Sequence, residues 1–453
     1  MGSVAVAMKQ RGYRVTGQDD KVYPPMSDYL EHNGVPITQG YAPEGIPEDV
    51  DFIVVGNAMS RGNPAIEAVL NRKLLHLSLP ETLKQFFLRG RRNLVVTGTH
   101  GKTTTTSMLA WILEYAGKQP GWLIGGIPAN FDTSANLRDS DFFVIEGDEY
   151  DTAFFDKRSK FLHYLPETVI INNIEFDHAD IYRDLDEIKL TFRRLVNIVP
   201  SAGFILVNAD DANALDVTSK AFAPVCTVGF APEAIHRITD ARTTASGSEF
   251  DFLGTTFVIG MTGDFNIRNA AMAATAAQCY GVPVETIREA LEKFRGIKRR
   301  QEIRGVAGGV TVIDDFGHHP TAIRETLRGL RVRYGAATRL WAVFEPRSNT
   351  TRRNVFQKAL PEAFAEAHGV FLSQVARLDQ LAKNERLDPE RVVADLAAQG
   401  KVAHYEKDAD AIVERLVPLL AEGDVVIVFS NGGFDGIHGK LLERLGSHRR
   451  TSG

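Results

Sequence analysis

The chain has 453 residues, 44% apolar and 24% charged, with 52 Lys and Arg against 57 Asp and Glu and a formal net charge of −5. At this length about three domains of roughly 150 residues are expected, and a near-neutral balance without a long basic run argues against nucleic acid or an anionic membrane as a partner held by bulk charge. Cys226 and Cys279 lie far apart, which argues against a disulfide framework or a zinc motif, and there is neither a bilayer-length apolar run nor a signal-type N-terminus, so a cytoplasmic protein is expected.

The opening residues 1–8 are helix-like, and Tyr13 to Gly17 reads as a short strand leading to Asp19 and Asp20. A helix followed by a strand with an acid at its end is the second part of a Rossmann-like βαβ unit, so the first strand and its glycine loop are expected upstream of residue 1. Residues 51–57 read as a buried strand, and Pro64 opens a helix whose apolar face is Ile66, Val69 and Leu70. Leu74 to Leu77 reads as another strand, and residues 89–92, Arg-Gly-Arg-Arg, as a linker.

Next comes an apolar run, Leu94-Val95-Val96, that breaks at Gly98-Thr99-His100-Gly101-Lys102-Thr103-Thr104. A helical pattern follows, with Met108, Leu109, Ile112, Leu113 and Ala116 on one face and Gly117 as its stop. This is strand, phosphate loop, helix. The glycines let backbone approach an anion closely, and free N–H groups at a helix start point at it. Lys102 can reach terminal phosphates, and the Thr103 hydroxyl suits Mg²⁺. Only Thr99 and His100 separate the two glycines, fewer than in the usual G-x-x-x-x-G-K-[ST] pattern.

Residues 141–145 form the next predicted strand, with Glu146, Asp148, Glu149 and Asp151 at its C-terminal end; residues 168–173 form another, running into Ile174-Glu175-Phe176-Asp177-His178. In a parallel sheet these ends share an edge with the phosphate loop, where ligands bind. Glu146 and His178 are therefore expected to converge on the loop's Mg²⁺, although imidazole is an uncommon ligand for it. A strand at 204–208 and an antiparallel hairpin at 249–257 follow. Residues 263–269 precede an Ala-rich helix, where a side-chain amide serves either as a helix cap or as an adenine contact.

Residues 296–301 read as a hinge with a basic cluster, and strands are predicted at 310–315, 340–344, 370–372 and 424–429. Phe316-Gly317-His318-His319-Pro320 turns the first of these into a helix carrying Ile323, Leu327 and Leu330. Polar and Gly-rich stretches, 345–350 and 430–438, again collect at strand ends, and Arg347 suits a bidentate carboxylate clamp. Residues 446–453 are expected to be a loose tail.

The stretches Gly98–Thr104, Glu146-Gly147-Asp148-Glu149-Tyr150-Asp151, Asn173–His178 and Asp314-Asp315-Phe316-Gly317-His318-His319-Pro320, in this order, resemble the Mur ligase family over nearly the whole chain. Within the family, residues 23–27, 56–64, 155–161, 345–350 and 430–434 look like the branch that joins UDP-N-acetylmuramate to the murein tripeptide L-alanyl-γ-D-glutamyl-meso-diaminopimelate in peptidoglycan recycling. The resemblance implies an α/β protein of three domains: a Rossmann-like UDP-sugar-binding domain over 1–90, a central P-loop-type ATP-binding domain over 91–301, and a Rossmann-like acceptor-binding domain over 302–453. It implies ATP and Mg²⁺, and an acyl phosphate attacked by the peptide's α-amine.

By position it implies that Gly98, Thr99, His100, Gly101 and Thr104 surround the nucleotide while Lys102 holds its β/γ-phosphates. Thr103 and Glu146 would hold one Mg²⁺, and His178 a second. Asn269 would meet adenine, Arg300 and Asp315 ribose or phosphate, and His318 and His319 would lie near the phosphates. Arg347, Ser348 and Asn349 are candidates, from charge and place, for the peptide's distal carboxylates. Two features depart from the family: its UDP-cradling first loop is not found in this sequence, and Lys189 and Arg193 stand where several relatives carry a carbamylated lysine, so carbamylation is not expected. Two alternatives stay open, a ligase taking L-alanine alone and a nucleotide-gated binding protein without turnover.

Overall fold

Four segments, Arg92–Thr97, Phe142–Glu146, Pro166–Ile171 and Phe204–Asn208, are nearly continuous apolar runs, the pattern of parallel strands covered on both faces. In the computed structural model, which describes residues 1–23, 26–244 and 246–448, they form the middle of an eight-stranded sheet. Its order is His236–Arg237, Val225–Gly229, Phe204–Asn208, Pro166–Ile171, Arg92–Thr97, Phe142–Glu146, Gly121–Leu123 and Ala135–Asn136, parallel but for the last strand. Alternate residues serve opposite faces. Leu94 and Val96 pack with the helices Lys102–Tyr115 and Asp264–Cys279, while Val95, Phe143 and Ile171 pack with the helix Leu185–Val196. The alanines of Asp264–Cys279 are buried, and their small side chains let it lie close against the phosphate-loop helix.

An antiparallel sheet of Thr239–Thr244, Gly247–Phe252 and Thr255–Ile259 contains the expected hairpin. Phe250 and Phe257 stack across it, with centroids 5.6 Å apart, and join the same core. The C-terminal lobe is a six-stranded sheet ordered Glu302–Ala307, Val310–Asp315, Val425–Phe429, Leu340–Phe344, Gly369–Ser373 and Val402–Glu406, parallel except for its first pair. Pro320–Tyr334 and Pro389–Ala398 cover one face, Ala409–Leu416 and Ile437–His448 the other, which is a doubly wound arrangement. The N-terminal lobe carries two parallel pairs, Gly17–Asp19 with Ile37–Gln39 and Ile53–Val55 with His76–Ser78. No helix among the described residues is long and apolar enough to cross a membrane.

Several expectations shift. The first strand is Gly17–Asp19, not 13–17, because only those residues find a partner; Tyr13 is exposed, with its ring edge-on to Phe86. The expected linker at 89–92 is short, since Arg92 already starts the central strand and Leu83, Phe87 and Leu88 are buried against Val95 and Phe143. Asp264–Cys279 begins immediately after Gly263, so Asn269 lies within the helix and is not its cap. Residues 446–448 continue the last helix instead of forming a tail, and 449–453, like Pro24 and Pro25, lie outside the described residues.

Candidate active site

The phosphate loop is held by two glycines that no other residue could replace cheaply. Gly98 has φ 122°, and a Cβ there would come within 2.9 Å of the Asn173 backbone; Gly101 has φ 79°, and a Cβ there would collide with the Asn269 amide. The loop's outer N–H groups are spent on the neighbouring strand end: Thr99 N–H donates to the Asn173 carbonyl and His100 N–H to Asn173 Oδ1, at 3.0 and 2.7 Å. Gly101 is the N-cap of Lys102–Tyr115 and brings no side-chain cap, which leaves the first-turn N–H groups for an anion. Beneath the loop, Asn172 donates to Thr105, which donates to Asn269 Oδ1 at 3.2 Å. Asn269 is thus buried under Gly101.

Charges from two strand ends converge here. Lys102 Nζ donates to the Gly98 carbonyl at 2.6 Å and to Glu149 at 2.8 Å. Glu149 is 2% exposed, its carbonyl accepts from the Tyr182 hydroxyl, and His178 Nε2 lies 3.9 Å from its carboxylate. Glu146 accepts from the Thr103 hydroxyl at 3.1 Å and from Gly125 N–H at 2.7 Å. Asp148 is paired with Lys160 at 2.6 Å. Burial works against the Lys102 charge, but Glu149, Asp148 and Glu146 outweigh it and hold its pKa above the ordinary lysine value. Burial pushes Glu146 up, against the pull of Lys102. For Asp148, burial is outweighed by Lys160 and Lys102, which hold it down.

The expected convergence of Glu146 and His178 therefore divides: Glu146 belongs with Thr103, and His178 with Glu149. A Mg²⁺ takes oxygen donors in octahedral geometry. Thr103 Oγ1 and Glu146 Oε1, side by side at a helix N-terminus, fit one such ion. Asp148, Glu149 and His178 offer donor atoms within 4.8 Å of one another, a second group of suitable charge. His178 itself holds a left-handed backbone, φ 56°.

The C-terminal lobe closes over this edge. His319 caps Pro320–Tyr334, its Nδ1 accepting from Thr321 N–H at 3.2 Å, and its Nε2 lies 3.3 Å from the Phe176 carbonyl. Thr321 Oγ1 donates to Glu175, Thr350 Oγ1 to Asp177 and Asn349 Nδ2 to Asp180, each at 2.7 Å. Burial lowers the His318 pKa. Asp177 is buried, yet His178, His318 and His319 hold its carboxyl well below the usual range. Arg300 lies over the Phe316 ring. Asp315 accepts from Gln301 and Gly317 N–H, and burial raises it.

Of the three acceptor candidates, Arg347 keeps a half-exposed guanidinium beside Glu345 and Gly432. Ser348 bonds Thr351 within its own turn, and Asn349 is taken by Asp180 and Arg352. Lys189 and Arg193 both pair with Asp216 on a neighbouring helix. In the N-terminal lobe a cleft of about 850 Å³ opens beyond Gly17–Asp19, lined by Asp19, Lys21, Tyr23, Leu30, Ile37 and Gln39.

Glu149, Glu175 and Asp177 were not assigned roles from sequence. All three stand in acid-rich strand ends, but their partners depend on how the turns and the C-terminal lobe fold back.

Three family descriptions match in chain order: "Mur ligase family, catalytic domain" over residues 1–91, "Mur ligase middle domain" over 96–277, and "Mur ligase, glutamate ligase domain" over 299–432. The chain belongs to the Mur ligase family, and its three-domain α/β architecture is that family's. It is 44% identical over 451 residues to the UDP-N-acetylmuramate–L-alanyl-γ-D-glutamyl-meso-2,6-diaminoheptandioate ligase of Escherichia coli K12, covering 98% of this chain and 96% of that protein. Identity to the UDP-N-acetylmuramate–L-alanine ligase of Geotalea uraniireducens is 31%, over 98% of this chain and 95% of that protein. The solved structure of a murein peptide ligase from Psychrobacter arcticus matches with a TM-score of 0.73 at 38% identity, over 98% of this chain and 96% of that one.

Proposed function

We propose that this chain is a cytoplasmic ATP-dependent ligase that joins UDP-N-acetylmuramate to L-alanyl-γ-D-glutamyl-meso-diaminopimelate in peptidoglycan recycling. The observation that carries this reading is one sheet edge. There a phosphate loop with a partly buried lysine, Lys102, meets carboxylates from two strand ends, and a second lobe docks beside them through Thr321 and Thr350. The 44% identity to the E. coli ligase supports the choice of substrates over L-alanine alone.

A carboxylate resists an amine because its charge repels the nucleophile and it offers no good leaving group. In the proposed reaction a lactyl carboxylate oxygen attacks the γ-phosphorus of ATP, and the bond to ADP breaks. The peptide's α-amine then adds to the acyl carbon, phosphate leaves, and the amine loses its proton. We assign Lys102 to the transferring phosphoryl group, whose charge it stabilises without a change of its own protonation. The first-turn N–H groups after Gly101 hold the neighbouring phosphates, with Gly98, Thr99, His100 and Thr104 shaping the loop.

Thr103 and Glu146 would hold a Mg²⁺, and His178 would serve a second ion; such ions would supply neutralisation of phosphate charge. Asn269 is assigned to adenine, Arg300 and Asp315 to ribose or phosphate, and His318 and His319 to the phosphate side of the lid. Arg347 is assigned to a distal carboxylate of the peptide, with Ser348 and Asn349 shaping its loop. The cleft beside Asp19 is the place for the UDP-sugar. On this reading residues 1–90, 91–301 and 302–453 take sugar nucleotide, ATP and acceptor in turn.

Phosphate release in the presence of UDP-N-acetylmuramate and ATP is expected to be faster with the tripeptide than with L-alanine. A preference for L-alanine would overturn the choice of acceptor, and a rate indifferent to every acceptor would favour a nucleotide-gated binding protein.

A further inference from the structure

We propose that His100, Glu175 and His319 form a binding site for a borderline divalent cation of the zinc type, separate from the Mg²⁺ positions at Thr103, Glu146 and His178. The three donors come from three elements: the phosphate loop, the segment following Pro166–Ile171, and the N-cap of Pro320–Tyr334. His100 Nε2 and His319 Nδ1 each lie 3.5 Å from one and the same oxygen, Glu175 Oε2. All three atoms lie within 4.8 Å of one another, and the two rings are 4.4 Å apart. Zinc bound tetrahedrally at about 2.0–2.1 Å spaces its ligands roughly 3.3 Å apart. Both nitrogen–oxygen edges already have nearly that length.

The protonation pattern also suits a cation. His319 Nε2 faces the Phe176 carbonyl, to which only an N–H is a partner, so its proton sits there and Nδ1 presents a lone pair. A carbonyl behind the far ring nitrogen is the usual support of a metal-binding histidine. His100 Nε2 is buried and makes no hydrogen bond, an unmet need next to a carboxylate. An incoming ion displaces the 3.2 Å bond from Thr321 N–H to Nδ1, while the Thr321 hydroxyl keeps its bond to Glu175. Two imidazoles and one carboxylate favour zinc, nickel or copper over Mg²⁺. The bound ion ties the phosphate loop to the C-terminal lobe.

The nucleotide-free full-length protein is titrated with Zn²⁺ against a chromophoric chelator. One site is expected, weakened at least about 10–100-fold in Glu175→Gln, the loss that even an outer partner's removal causes, and retained in His178→Ala. Unchanged affinity in Glu175→Gln, or equal loss in His178→Ala, overturns the proposal. X-ray absorption on the wild-type protein with one equivalent of zinc is expected to show two imidazole ligands. The other carboxylate–imidazole clusters, at His178 and at His163, offer one each, so a spectrum with a single imidazole or none also overturns it.

Discussion

Glu149 decides the state of the lysine that matters most. It is the anion against which Lys102 rests, and it also faces His178. Glu149→Gln keeps the shape and removes the charge, leaving a largely buried ammonium without the carboxylate it hydrogen-bonds, with only the fields of Asp148 and Glu146 to support it. A loss of about 3 kcal/mol in denaturant unfolding is expected, as for other broken buried pairs. Lys102→Ala strands the Glu149 carboxylate and also takes away the cation assigned to the transferring phosphoryl group, so a comparable loss of stability is expected together with a fall of at least ~100-fold in the acceptor-dependent ADP formation of the folded protein. A variant that is folded and still turns over would overturn the loop's role. The sequence shows four acids between 146 and 151, all at the strand end, and singles out only Glu146 for the metal. Only the turn at Gly147, which brings Glu149 beneath the loop while Glu146 stays on Thr103, separates their tasks.

Among elements, the phosphate loop and its helix were legible because local chemistry fixes them: an apolar strand, two glycines with positive φ, and an uncapped helix start. Gly101→Ala tests this. The left-handed conformation costs a non-glycine residue about 1–2 kcal/mol, and the added methyl meets Asn269. Weaker ATP binding and a lower melting temperature are expected together, measured by calorimetry and thermal unfolding. The strands Phe204–Asn208, Val310–Asp315 and Leu340–Phe344 fall where the apolar runs place them, because burial on both faces leaves an unbroken signal. Val402–Glu406 gave no such signal. It is an edge strand, half-buried along its length, and its pairing with Gly369–Ser373 is set by tertiary structure. Gly17–Asp19, short and polar, was misplaced for the same reason.

For the whole molecule, the lobes meet through ionisable groups, and pH should act there. Asp177, bonded to Thr350 of the C-terminal lobe, has its pKa depressed in the folded protein. Its stabilisation is therefore complete above the unfolded-state value of about 3.9 and is lost as pH falls below it. The melting temperature of the wild type should drop more steeply on acidification from pH 5 than that of Asp177→Asn, and parallel curves would show that the carboxylate plays no such part. The two faces of the assembly are not alike. Val4, Ala7 and Met8 of the first helix share one apolar cluster with Leu83, Phe87, Val95 and Phe143. Among the described residues, the clusters of the C-terminal lobe contain nothing before Ala307. An oily seam resists sliding, whereas a polar one exchanges its bonds with solvent at little cost. The N-terminal and central lobes are therefore expected to move as one piece, a stator, with the C-terminal lobe as the rotor. Fluorophores placed across the second seam should report ligand-driven displacement, while a pair across the first should stay silent.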